Sequence, residues 1–77
     1  MNAEEVFNTF AFKIGDLVCH KAVAHMFGRK PAVILERILC QYSGGISREY
    51  VVTCTNERGE RGLQNVFEIE LTTWVQP

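Results

Sequence analysis

Hydrophobic and polar residues alternate along much of this chain, and turn residues interrupt the alternation at short intervals. Over Arg48–Thr55, Tyr50, Val52 and Cys54 share one phase, while Glu49, Val51, Thr53 and Thr55 share the other. A period of two is that of a strand, whose successive side chains point to opposite faces. Ser43-Gly44-Gly45, just upstream, is hairpin chemistry. Ala32–Tyr42 then reads as the partner strand, apolar on both phases and so buried on both faces for part of its length.

Leu17–Lys21 reads as the first strand, entered through a turn at Gly15-Asp16. Residues 22–31, "AVAHMFGRKP", form a long and partly packed excursion between the first two strands, punctuated by Gly28 and Pro31. The polar turn Asn56–Gly62 leads to a short fourth strand around Leu63–Asn65. Val66–Leu71 reads as a strand or a single 3₁₀ turn, and Thr72–Val75 as the closing strand.

Before the strands the pattern changes. Asn2 followed by Glu5 resembles a capping box. Val6, Phe7 and Phe10 then predict a short amphipathic helix over residues 3–10. A helix of that length is marginal alone, so its phenylalanines are expected to plug one end of the sheet or pack on a partner chain. The division expected is an arm or short helix over 1–11 and a barrel over 12–77.

Short strands with tight turns, and no room for parallel crossovers, predict a mainly β fold: a small antiparallel barrel of about five strands. Closure would leave few sheet edges. Phe67, Ile69 and Leu71 form the expected inward set of the last segment, with Glu68 and Glu70 on a solvated face.

Phe12-Lys13-Ile14-Gly15-Asp16-Leu17-Val18 resembles the Gly-Asp-x-Val start of many small SH3-like barrels. The long loop before the second strand, the Gly-Gly hairpin and Tyr50-Val51-Val52 fit the same pattern. Phe67-Glu68-Ile69-Glu70-Leu71 is similar to the Phe-x-Glu-x-Glu-Leu ending of short bacterial and phage proteins of that type. The resemblance covers about residues 12–75. It implies an SH3-like fold, distantly related to Tudor-like and KOW-like modules that bind proteins or nucleic acids. The chain departs from KOW patterns after Lys21, where no Gly stands in the expected place and the loop is longer.

At 77 residues the chain forms one domain, 47% hydrophobic and 22% charged. A chain this short buries only about 60% of its unfolded surface, so every large side chain matters to its core. The net charge of −1 gives no global attraction to nucleic acid or membrane. Its distribution is uneven: residues 13–48 carry six cations against two anions, or +4, and the remainder carries two against seven, or −5. No stretch approaches the roughly 20 apolar residues of a membrane span, and the acidic start lacks the features of an export signal. Three cysteines without such a signal predict reduced thiols and a cytoplasmic protein.

Cys19, His20, Cys40, Cys54 and His25 are the residue types of a zinc site, but no Cys-x-x-Cys spacing is present. Cys19 and His20, as strand neighbours, are expected on opposite faces. With a turn at Gly44-Gly45, Cys40 faces about Glu49 or Tyr50, away from Cys54. No metal site or cofactor is expected, and no motif supplies an orienting group or oxyanion hole for a cysteine nucleophile. The expectation is a non-enzymatic protein-binding or adaptor module, with self-association as a homodimer among its expected modes. Val23, His25, Met26, Phe27, Arg29 and Lys30 are its expected partner-binding residues. The alternative is weak nucleic-acid binding through Lys21, Arg29, Lys30, Arg37 and Arg48. Trp74 is expected in the core, or else as an interface anchor.

Overall fold

The computed structural model describes residues 3–24, 30–55 and 58–75. Its elements are a helix α1 (Ala3–Phe7) and five strands: β1 (Leu17–His20), β2 (Ala32–Tyr42), β3 (Gly45–Thr55), β4 (Arg61–Phe67) and β5 (Leu71–Thr73). Single 3₁₀ turns follow β1, at Lys21–Val23, and β4, at Glu68–Glu70. The strands pair antiparallel in one sheet, in the order β4-β3-β2-β1-β5. The fold is therefore mainly β.

The expected closure is not formed. Among the described residues no ladder joins β4 to β5, and these two strands remain the sheet edges. The short β5 reaches only β1, with Val18 opposite Thr73 and His20 opposite Leu71. The core lies on one face of the sheet, where Val18, Ile34, Tyr50, Val52, Val66, Leu71 and Phe10 cluster.

The β2–β3 hairpin dominates the fold, with 11 residues in each strand. Its turn is Ser43-Gly44, one residue earlier than expected, because Tyr42 pairs with Gly45. Cys40 consequently faces Ser47, not Glu49 or Tyr50. The third strand also begins earlier than the alternation from Arg48 indicates, since Gly45, Ile46 and Ser47 complete the ladder with β2.

A bulge at Leu35 sets what the hairpin presents. Ile34 pairs with Val52, but the next pair is Glu36 with Val51. One extra residue on β2 shifts its side-chain phase by one. Beyond it, Arg37 and Leu39 share the core face with Tyr50, and Glu36 is exposed. The apolar residues on both phases of β2 thus reflect a phase change along the strand as well as burial.

The Gly-Asp turn joins the arm to the sheet. Lys13 N–H donates to the Asp16 carboxylate at 2.8 Å, and Asp16 N–H donates back to the Lys13 carbonyl at 3.0 Å. Gly15 N–H donates to the Ile34 carbonyl at 2.8 Å from a backbone with φ of 93°. That angle favours glycine. Ile34 N–H closes the exchange on the Asp16 carbonyl at 3.1 Å.

Candidate partner-binding groove

The segment before the first strand is the largest departure from a plain sheet. Helix α1 spans only 5 residues, shorter than the 3–10 segment expected. Its Phe7 ring stacks on Phe10, centroids 5.1 Å apart, and Phe10 meets the edge of Tyr50 at 5.5 Å. Phe10 is buried, as expected of a plug. Arg37 lies under both phenylalanines, 5.7 Å from each centroid, and donates to the Phe7 carbonyl at 3.1 Å. Arg48 donates twice to the Thr9 hydroxyl, at 3.1 and 2.8 Å.

A polar knot fixes where this segment meets the sheet. The Tyr50 hydroxyl donates to Glu68 Oε2 at 2.6 Å and accepts from Phe12 N–H at 3.2 Å. Ala11 N–H donates to the same carboxylate oxygen at 3.1 Å. Burial, and then the hydrogen bond to Glu68, pushes the Tyr50 phenol up to about 12. Glu68 is thus half-buried and bonded, not part of a solvated face. Phe67 and Ile69, the expected inward residues, are instead exposed by 50% and 78%. The cause is local. Glu70 Oε2 accepts Phe67 N–H at 2.9 Å, and the 3₁₀ turn it caps breaks the two-residue period.

The last β3–β4 pair is Glu49 with Phe67, so the hairpin tip overhangs the end of β4. Between the overhang and the 3₁₀ turn lies an open groove of about 660 Å³. Tyr42, Ile46, Ser47 and Arg48 line one wall, Phe67, Glu68, Ile69 and Leu71 the other, with Ala11, Phe12 and Lys21 completing it. Tyr42 and Ile46 are exposed by 58% and 49%. Chemically the groove offers aromatic and branched apolar surface, with Lys21, Arg48 and the hydrogen-bonded Glu68 as its charged lining, suited to an apolar ligand of moderate size.

The structure brings together only part of the expected binding set. Lys21 and Arg48 reach the groove. Val23 is exposed on the first 3₁₀ turn and Lys30 is exposed before β2. His25, Met26, Phe27 and Arg29 lie outside the described residues. Arg37, a nucleic-acid candidate, is half-buried beneath α1. Ile46, Phe67 and Ile69 escaped a reading based on strand phase. Their signal was weak: apolar residues bracketing a Ser-Gly turn, and an apolar–acidic repeat read with the wrong period.

The candidates for metal and nucleophile chemistry are dispersed. Cys19 is buried and His20 exposed, on opposite faces of β1. His20 Nδ1 accepts Ala22 N–H at 3.1 Å, and Nε2 stands 3.9 Å from Glu70. The three thiols are free, and no cluster of metal-ligating side chains occurs among the described residues. The Cys40 thiol is raised by its hydrogen bond to Glu49, followed by desolvation. Trp74 is half-buried, and its backbone N–H donates to the Leu17 carbonyl at 3.1 Å. Among the described residues no helix is long and apolar enough to cross a membrane. Comparison with family models, with curated proteins and with solved structures found no match.

Proposed function

We propose that this chain is a small, non-enzymatic, cytoplasmic protein-binding module of the SH3-like class, and that its partner sits in the groove between the β2–β3 hairpin tip and the Glu68–Glu70 turn. The strand order and the 3₁₀ turn ahead of the last strand support the SH3-like assignment. One observation carries the functional reading: Tyr42, Ile46, Phe67 and Ile69, all well exposed, converge on one concave surface. Large apolar side chains gathered in this way mark interaction sites. Lys21, on the groove's lining, favours a partner segment that combines apolar residues with an acidic one.

Nucleic-acid binding gains no comparable support. Arg37 and Arg48 are engaged by the Phe7 carbonyl and the Thr9 hydroxyl, and the net charge is −1.

Selection from a random displayed-peptide library tests the reading. Enriched sequences should combine aromatic or aliphatic residues with Asp or Glu, and Tyr42→Ala and Ile69→Ala should each weaken them at least tenfold. Peptides that bind both variants as well as the parent would place the partner elsewhere. Salt-dependent binding of a mixed single-stranded oligonucleotide would favour the alternative.

A further inference from the structure

Among the described residues β4, a seven-residue strand, is paired on one side only, with β3. Its direction of pairing follows from the hairpin. A two-residue turn closes on a hydrogen-bonded pair, here Tyr42 with Gly45. Alternation then turns Tyr50, Val52 and Cys54 toward β4, where they meet Val66, Gln64 and Gly62. The backbone groups of Arg61, Leu63, Asn65 and Phe67 consequently face outward. Phe67 N–H confirms the parity, because it donates not to β3 but to the Glu70 carboxylate.

This edge lacks the usual protection. Exposed edges are normally blunted by lysines, prolines, bulges or extreme shortness. β4 has no lysine, no proline and an uninterrupted register, and its only charge is Arg61. Leu63, at the middle of the outward set, is 66% exposed. Five of its seven residues run exposed in sequence before Val66 is buried.

The strand is also self-complementary. An antiparallel copy centred on the strand places Gln64 opposite Gln64 of the second copy. Leu63 then faces Asn65 and Arg61 faces Phe67. The two Leu63–Asn65 pairs have all their outward N–H and C=O groups available, for four backbone hydrogen bonds. The two Gln64 amides, each donor and acceptor, meet at the twofold axis. Arg61 meets an aromatic ring instead of a like charge. These are the requirements of an isologous interface.

We infer that β4 pairs with β4 of a second copy, joining two five-stranded sheets into one continuous sheet of a symmetric homodimer. One strand edge and two apolar side chains bury less than the roughly 800 Å² per partner of a standard stable interface. The dimer is therefore weak and in rapid exchange, with a dissociation constant on the order of 100 µM. It does not require an occupant in the groove.

Sedimentation and amide exchange over protein concentrations from about 1 µM to 1 mM test the inference. The mass should climb from 8.8 kDa toward twice that value. The amides of Leu63 and Asn65 should gain protection as it climbs, while those of Gly62, Gln64 and Val66 stay protected throughout. Leu63→Lys, at an exposed site, should remain folded and monomeric at the highest concentration. Asn65→Pro removes only an outward N–H and should do the same. Tyr42→Ala should dimerise like the parent, which separates this inference from the role of the groove. A monomer at 1 mM would overturn it. So would a dimer that survives Leu63→Lys, or one in which the Leu63 and Asn65 amides exchange as fast as in the monomer.

Discussion

The Tyr50 hydroxyl lies 2.6 Å from the Glu68 carboxylate and donates to it. That bond links the centre of β3 to the turn ahead of β5, and the same two groups hold the backbone at Ala11 and Phe12. The segment before the sheet, the core and one groove wall therefore share one polar junction.

Because the Tyr50 phenol is raised to about 12 from an ordinary 10.0, the folded state keeps a proton that the unfolded chain loses. Its contribution to stability is present below pH 10.0 and is lost as pH climbs toward 12. Thermal melts of the parent should fall more steeply across that window than those of Tyr50→Phe. At neutral pH the same variant should cost about 1–3 kcal/mol, since Phe12 N–H loses its acceptor and Glu68 a donor.

Phe10 joins the N-terminal segment to the core by burial, whereas Thr9 joins it by hydrogen bonds at the surface. Phe10→Ala should cost about 3 kcal/mol, a large share of what a domain this small possesses. Thr9→Ala should cost no more than about 1 kcal/mol. Urea titrations compare the two directly, and equal losses would mean that the polar contacts, not the ring, hold the segment.

Gly15 has no atom near the position of an added Cβ, so any penalty there comes from the backbone at φ 93°. Gly15→Ala should cost about 1–2 kcal/mol, read as a lower denaturant midpoint at unchanged slope.

Gly44 is the opposite case. A Cβ there would stand 2.8 Å from the Tyr42 ring edge, with no positive φ to strain. Gly44→Ala should leave stability unchanged or raise it by about 0.5 kcal/mol, while displacing the ring. Aromatic NMR shifts of Tyr42 and reduced affinity for selected peptides should report the displacement.

Cys40 is held back by Glu49, whose hydrogen bond and negative charge both favour the neutral thiol. Glu49→Gln should speed alkylation of Cys40, because the thiolate is the reacting species. Mass-spectrometric labelling rates for the parent and the variant measure the change.

Strand identity was legible wherever burial followed a simple period. Tyr50 and Val52 announced the core face of β3, and Gly15-Asp16 announced the turn before β1, because local steric and hydrogen-bonding preferences act over a few residues. The Glu68–Glu70 turn was less legible. Alternating apolar and acidic residues fit a strand equally well, and only the backbone bond from Phe67 to the Glu70 side chain decides between them.

The sequence by itself determined that the protein is a mainly antiparallel β domain with a phenylalanine-bearing segment ahead of its strands. Periodicity and turn chemistry are encoded locally. Only the tertiary structure decided the phase after Leu35, the open sheet, and the meeting of Tyr42 and Ile46 with Phe67 and Ile69. These depend on how far one strand slides past another, and a shift of one residue exchanges the two faces.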